Sequence, residues 1–573
     1  MHLRLPLLGI LTILGAIYLI YWSLSVSISN FIFRNFSAVD DLRLIGKRRK
    51  GGKFQGVAVV SGGSISGLLA ARILSDHFKK VVIVEAEEWL TTEQGLWDGI
   101  RCSPKKRYKV FQYTFMHCYQ AFLGHALRYM FPDFQEELEK VGGKYVLSPN
   151  TCFQVISAYT NLTSEKRMAT GPFNAQFSGI PLTHEWRTET PDIIFSTRPV
   201  LESTIRRVLL NSFSNVEYLP GSVYSLVRAA KSGPIEGVLV RKLDGKKVTL
   251  SAEFVVDCTG SAYSGLRWLQ ELGLRTERGQ ALDEVKETYN HNVLYSFCEA
   301  DVPKHILKDL RPSGAYAGKV EDHAKGIAGF HYWLPDASRE RQLFGIVRQE
   351  NNILHMAYGA WGLSKPPKTL ADLRDNISGL SLNEPVPEWA YDILDTLEKE
   401  NVPVKFETVR MPPGVYIRYT GIKDLPANFV AIGDSVHKAN AVRGQGCTKA
   451  CIDAVTLNTL LCRTSGQTLP TGFSRRFFAL QDKRTGAIWS AGKTEDYAWD
   501  TTIPCKGEDL AVGSFARTYM KYVGQLIVSD PEVTNIFMNV VHFFAPGLVL
   551  FSPRILRKVL RLWIADRWGK FRL

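Results

Sequence analysis

The strongest constraint on this chain is a short apolar run that breaks into glycines: Val57-Ala58-Val59-Val60-Ser61-Gly62-Gly63-Ser64-Ile65-Ser66-Gly67. Val57 to Val60 reads as a buried parallel strand. Gly62 then permits a tight turn, and Gly67 lets the next helix pack against the strand. That helix is expected over Ile65 to Phe78, where Leu68, Leu69, Ala71, Ile73 and Leu74 lie among small residues. Its free amides and positive dipole end suit a pyrophosphate. Lys80 to Val84 predicts a second strand, and Glu85 ends it, 23 residues after Gly62. An acid placed there accepts hydrogen bonds from ribose hydroxyls. The middle glycine of G-x-G-x-x-G is Ser64, which narrows the backbone approach and adds a hydroxyl. The pattern predicts dinucleotide binding.

A second glycine-bearing segment lies almost four hundred residues downstream: Phe429-Val430-Ala431-Ile432-Gly433-Asp434-Ser435, followed by Gly444-Gln445-Gly446. Phe429 to Ile432 predicts a strand, with Gly433 and Asp434 turning at its end. Asp434 is placed to accept a hydrogen bond from a ribityl hydroxyl. Gly444 to Gly446 open a helix whose amide end faces a pyrophosphate or an anionic flavin ring. Together the two segments predict one extended dinucleotide held at both ends, FAD.

The 573 residues suit two or three domains. The net charge of +14 is clustered. One cluster is Lys47-Arg48-Arg49-Lys50 with Lys53; the other is the tail, with Arg554, Arg557, Lys558, Arg561, Arg567, Lys570 and Arg572. No nucleic-acid-binding motif accompanies the charge. Residues Leu5 to Phe33 carry no charged side chain, long enough to span a bilayer. The run is too long for a typical signal-peptide core, which favours a single membrane anchor. Basic residues downstream outnumber Arg4, which places the body of the protein on the cytosolic side, as in an endoplasmic-reticulum protein. Asn35, Asn161 and Asn376 stand in N-x-S/T sequons, which favour the lumen instead and are given less weight than the charges. Nine scattered cysteines without C-x-x-C pairs argue against a disulfide framework and a zinc site. In the tail, Ile555, Leu556, Val559, Leu562 and Trp563 fall at helical spacing between basic residues, as in an interfacial helix or a packed terminal helix.

The expected fold class is α/β: a Rossmann-like FAD-binding domain, an inserted β-sheet substrate domain and a helical C-terminal region, preceded by a transmembrane helix. The expected boundaries are an anchor over 5–33, a basic juxtamembrane linker over 34–53, the FAD-binding domain over 54–285 and 426–465, the substrate domain over 286–425, and the helical region over 466–573. Pro199 to Leu210 predicts an amphipathic helix, and Asp244-Gly245 a hairpin turn. Gln342 to Val347 and Ile353 to Ala360 are strand-like.

Four segments, GGSISGLLAARILSDHF with Glu85, STRPVLESTIRRVLL, VVDCTGSAYSGLRWLQELG and VAIGDSVHKANAVRGQGCTKA, resemble FAD-dependent monooxygenases of the aromatic-hydroxylase and squalene-epoxidase type, and within them the relatives acting on secondary metabolites. The resemblance implies that Gly62, Gly63, Ser64 and Gly67 hold the pyrophosphate and Glu85 the adenosine ribose. It implies that Arg198 lies near the phosphates or ribityl chain, that Gly433 and Asp434 bind the ribityl, and that Gly444, Gln445 and Gly446 approach the flavin ring. Gln112 and His117 match a polar run near the cofactor. Ala441 and Arg443 depart from the family's proline and its aromatic or hydrophobic residue. The resemblance further implies NAD(P)H as electron donor, O2 as co-substrate, and hydroxylation or epoxidation of a lipophilic small molecule through a flavin hydroperoxide. A flavin oxidase, dehydrogenase or reductase shares every motif, and a non-catalytic flavin-binding membrane protein is a further alternative. No W-x-W-x-I-P segment of a halogenase is present. The residues name no acid/base pair and no metal ligands. His331, Glu350 and His355 are candidate pocket residues, and Tyr332 and Trp333 candidate pocket aromatics, with ordinary packing as the default for each.

Overall fold

The computed structural model describes residues 23–570 except 25, 101–104, 106, 108–109, 111, 118, 148–151, 157–174, 178–179, 182–191, 229–232, 307–328, 334–339, 363, 382–384, 387 and 528. Its centre is a parallel sheet of five strands: β1 (Phe54–Ser61), β2 (Phe78–Glu85), β3 (Val216–Pro220), β4 (Phe254–Asp257) and β5 (Phe429–Ala431), in the order β5-β4-β1-β2-β3. The β-branched runs of β1, β2 and β4 are buried because helices cover the sheet. Helix α1 (Ile65–His77) follows β1 within four residues and runs back to β2. It packs on α3 (Gly446–Cys462), so the two glycine-rich segments meet on one face of the sheet. Helix α2 (Arg198–Ser212) completes the cover with Pro199 in its first turn. The Asp244-Gly245 turn joins strands Gly237–Arg241 and Lys247–Ser251 antiparallel.

The substrate sheet is larger than the 286–425 segment expected to form it. Strands Val293–Asp301, Gly329–Trp333, Gln342–Arg348, Ile353–Trp361 and Val404–Arg410 come from that segment. Cys152–Ile156 joins the edge of this sheet, parallel to Gly329–Trp333, and brings Ala175–Phe177 with it. These two strands precede the expected boundary at 285, yet they share a sheet with strands from beyond it.

The C-terminal region is helical, as expected: α4 (Phe473–Asp496), α5 (Ser514–Ile527), α6 (Pro531–Val541) and α7 (Pro553–Lys570). The apolar residues of α7 divide into two stripes. Ile555 and Val559 are buried in a small core with Val523 and Val533, whereas Leu556, Leu560, Trp563, Ile564 and Trp568 are exposed. Part of the basic tail is neutralised within the bundle, since Lys558 pairs with Asp530 and Glu532 at 2.6 and 2.7 Å.

The basic segment before β1 is packed onto the domain and is not a free linker. Leu42 is buried, Arg49 lies 3.8 Å over the Phe54 ring and donates to the carbonyls of Gly52, Thr464 and Gly466, and Lys53 donates to the Ser75 carbonyl. Among the described residues no helix is long and apolar enough to cross a membrane. Most of the span expected over 5–33 lies outside them; residues 26–36 are helical and expose Val26, Ile28 and Phe31.

Candidate functional site: a cavity joining the two halves

A cavity of about 1370 Å³ runs along the carboxyl ends of the central strands and on under the substrate sheet. A single small-ligand site is usually about 300–1,000 Å³, so this one has room for a cofactor and a second molecule.

The nucleotide arm begins at the β1–α1 turn. Gly62 has φ +107°, and a Cβ there would stand 2.4 Å from the Cys258 carbonyl oxygen. A Cβ on Gly67 would stand 1.8 Å from the Gly62 carbonyl oxygen, and one on Gly63 would meet the Tyr218 ring at 2.9 Å. Positions 62 and 67 meet backbone and therefore require glycine, whereas the neighbour of Gly63 is a side chain. Gly62, Ser64, Ile65 and Ser66 line the cavity; Gly63 and Gly67 stand behind its wall. The Ser64 side chain makes no cap to α1, which leaves the first-turn amides to a ligand. Its hydroxyl donates instead to Glu202 at 2.7 Å and accepts from Arg198 at 3.2 Å. Glu85 ends β2 as expected: one carboxylate oxygen accepts the Gly63 N–H at 2.7 Å and the other the Glu87 N–H at 3.0 Å.

Arg198 lines the cavity at the start of α2. Its Nε makes no hydrogen bond and lies 3.6 Å from Glu202, its Nη1 is 3.5 Å from His117, and its Nη2 donates to Ser64. His117 donates from Nδ1 to the Phe115 carbonyl at 2.7 Å. Burial and the neighbouring Arg198 charge hold its imidazole neutral, with a pKa lowered to about 3. Gln112 lines the same wall and donates to the Met411 sulfur at 3.5 Å.

At the other end, Gly433 has φ +69°, and a Cβ there would meet the Ser66 hydroxyl at 2.4 Å. Its N–H donates to the buried Asp453 at 2.9 Å. Asp434 faces the cavity and pairs with Lys449 at 2.9 Å. Burial opposes its charge, but Lys449, Lys438 and Arg198 outweigh that and hold the carboxyl below its ordinary value. Gly444 takes the left-handed conformation, with φ +61°. Gly444, Gln445 and Gly446 line the cavity at the uncapped N-terminus of α3. Arg443, where the family resemblance expects an aromatic or hydrophobic side chain, pairs with Glu495 of α4.

The substrate arm is an aromatic chamber lined by Phe115, Tyr295, Phe297, Tyr332, Trp361 and Trp499. Phe115 stacks on Phe297 at 4.1 Å and Trp361 on Trp499 at 4.0 Å. Tyr332 belongs to this chamber, whereas Trp333, one residue on and therefore on the opposite sheet face, stacks on Phe344 in the second core. Glu350 and His355 do not line the cavity. Glu350 is buried and accepts from the Thr197 N–H at 2.7 Å and from its hydroxyl, which fixes the start of α2. His355 lies 3.2 Å from Glu299 across the strand pair. The His331 side chain lies outside the described residues.

Two groups of functional weight are not among the expected site residues. Glu202, fully buried in α2, accepts from Arg107, from Arg206 at 2.8 Å and from Ser64. Burial opposes its charge, and Arg107, Arg206 and Arg198 together hold it ionised, with its pKa below the usual value. Its i,i+4 spacing to Arg198 and Arg206 is the sequence signal for it. The other is Asp496, which accepts from Asn440, Trp361 and Tyr289 in the cavity wall.

The donor set fits FAD. Two uncapped helix N-termini and Arg198 face one cavity between acidic groups at each end, Glu85 and Asp434, and the glycines stand where the backbone must approach the ligand.

No family model matches the chain. It is 23% identical over 402 residues to Protein Rv3254 of Mycobacterium tuberculosis, covering 69% of this chain and 71% of that one. Among solved structures, a flavoprotein/dehydrogenase from Cytophaga hutchinsonii superposes with a TM-score of 0.52 at 13% identity, covering 90% of this chain and all of that one. The p-nitrophenol 4-monooxygenase PnpA from Pseudomonas putida gives a TM-score of 0.49 at 16% identity, over 86% and 99% of the two chains. The chain shares the flavoprotein fold of the Cytophaga protein.

Proposed function

We propose that the protein is an FAD-dependent monooxygenase that hydroxylates or epoxidises a lipophilic small molecule, with NAD(P)H as electron donor and O2 as co-substrate. The observation that carries this reading is the single cavity that joins a dinucleotide cradle to an aromatic chamber. Bound FAD supplies the electron transfer and oxygen chemistry. The chain's own residues bind and orient. The α1 N-terminus and Arg198 hold the pyrophosphate, Glu85 the adenosine ribose and Asp434 the ribityl chain, and the α3 N-terminus faces the ring. The stacked aromatics hold an apolar substrate and exclude water.

The test is FAD absorbance during anaerobic NADPH titration of the purified full-length protein. Bound FAD that bleaches and returns on admitting air is the expected result. Protein that takes up no FAD overturns the reading. Bound FAD that is reduced by an added substrate and not by NADPH moves the assignment to an oxidase or dehydrogenase on the same cradle.

The uncharged run over 5–33 and the exposed stripe of α7 support a place at the endoplasmic-reticulum membrane, with the body in the cytosol. Removing residues 1–33 tests this, since Ala38 and Leu42 beyond them belong to the core. Unchanged recovery of the truncated chain with membranes overturns it.

A further inference from the structure

Asp496, Asn440 and Tyr295 meet in the wall between the two arms of the cavity, and all three line it. Asp496 is the last residue of α4 and is 2% exposed. One of its carboxylate oxygens accepts from Asn440 Nδ2 at 2.9 Å and from Trp361 Nε1 at 3.1 Å; the other accepts from the Tyr289 hydroxyl at 2.9 Å. An ionised carboxylate can only accept. The Asn440 amide must therefore turn its nitrogen to Asp496 and its oxygen away. That oxygen accepts from the Tyr295 hydroxyl at 2.7 Å and from the Val442 N–H at 3.2 Å. Tyr295 thus gives its one hydroxyl hydrogen to Asn440, and its oxygen can act toward the cavity only as an acceptor. The surrounding wall is mostly apolar, formed by Phe297, Ala357, Trp361 and Trp499, with the Tyr332 phenol beside them.

We propose that Tyr295 is a specificity-determining residue, oriented by Asn440 and Asp496 as positioning residues, and that the chamber selects an apolar ring molecule bearing a hydrogen-bond donor over its donor-less ether or ketone. A donor on the ligand completes the relay. An ether oxygen in the same place opposes the Tyr295 lone pairs and leaves a buried acceptor unpaired. This deepens the monooxygenase reading by naming what its chamber takes.

The experiment is calorimetric titration of the full-length protein with 2-naphthol and with 2-methoxynaphthalene at pH 7.5, with FAD uptake scored by absorbance on the same samples. The wild-type chain is expected to bind 2-naphthol about tenfold more tightly, the worth of one well-placed buried hydrogen bond. Tyr295→Phe keeps the ring and is expected to bring the ratio close to one. Asp496→Leu leaves the phenol in place but frees the Asn440 amide, and is expected to lower the ratio as well. Asp496→Asn, which keeps an oxygen toward Asn440, is expected to retain most of it, a rescue that a merely space-filling role does not predict. No preference in the wild type, no binding of either probe, or an undiminished preference in Tyr295→Phe overturns the proposal. A chain that takes up no FAD yet keeps the naphthol preference overturns the flavin reading and leaves this one standing.

Discussion

The two arms of the cavity are built by opposite means. In the nucleotide arm the ligand-facing groups are mostly backbone: amides at two helix N-termini, brought close by Gly62, Gly67 and Gly433, where any side chain would collide. In the substrate arm they are side chains, carried by strands and helices from distant parts of the chain. Tyr295 and Asn440 are 145 residues apart, and Asn440 and Asp496 are 56 apart. Backbone sites depend on local geometry and tolerate little change. Side-chain sites depend on burial and charge compensation and can be retuned one residue at a time.

The largest effect that would sharpen this contrast is expected where the two means meet, at Glu202. Glu202→Ala leaves Arg206 and part of Arg107 buried without their carboxylate, and breaking such a pair costs about 3–5 kcal/mol. Chemical denaturation should show a loss of that size, and FAD uptake should fall because Ser64 and Arg198 lose their shared anchor. A loss below about 1 kcal/mol, as for an exposed pair, would mean that water reaches the cluster.

Next comes Gly67→Val. A Cβ there meets backbone and not a mobile side chain, so α1 must move off β1. Overpacking of this kind costs about 1–3 kcal/mol or somewhat more. The sharper readout is FAD binding, expected to be lost in protein that still shows its helical circular dichroism. Retained FAD would mean that the backbone approach is not what builds the nucleotide arm.

The arms also differ in how much of each is legible in the sequence. The β1–α1–β2 unit and its acid arise from local signals, an apolar run, glycines and a helical period, and the boundaries fall within a few residues of expectation. The second segment is legible for the same reason. The chamber is not. Asp496 stands in no pattern, Asn440 lies in a family-like segment that does not single it out, and their pairing exists only once α4 lies beside the 437–446 loop. Residue type alone draws His355 and Glu350 into the expected pocket. Strand alternation sends His355 to Glu299 instead, and Glu350 is used to pin α2. The parallel strand Cys152–Ile156 has no local signature for the sheet it joins.

A third test concerns charge buried behind the nucleotide arm. Burial pushes Asp453 from 3.8 up to about 7, against the opposing Lys449 charge and hydrogen bonds from Gly433, Gln481 and Thr485. Its folded pKa lies above its unfolded one. The folded protein therefore keeps a proton that the unfolded chain releases, and this contribution to stability is full below pH about 4 and lost as pH rises through about 7. Asp453→Asn cannot ionise, so it should flatten the decline of the urea midpoint between pH 4 and 7. An unchanged slope would place the proton elsewhere.

The smallest stability effect is expected at Trp568 on α7, a helix whose two apolar stripes set packing against surface. Ile555 is 1% exposed and Trp568 is 68% exposed. Ile555→Ala should cost about 2–5 kcal/mol for the methylenes and the cavity it leaves, whereas Trp568→Glu should stay within about 0.5 kcal/mol. If the exposed stripe rests on lipid, the order reverses in a vesicle assay. Trp568→Glu, with Trp563→Glu, should weaken co-sedimentation with phosphatidylserine-containing vesicles, because the apolar face is lost beside Arg557 and Arg561, while folded Ile555→Ala protein should bind as the wild type does. Equal binding by all three proteins would assign the stripe no role at the membrane and leave residues 5–33 to carry that reading alone.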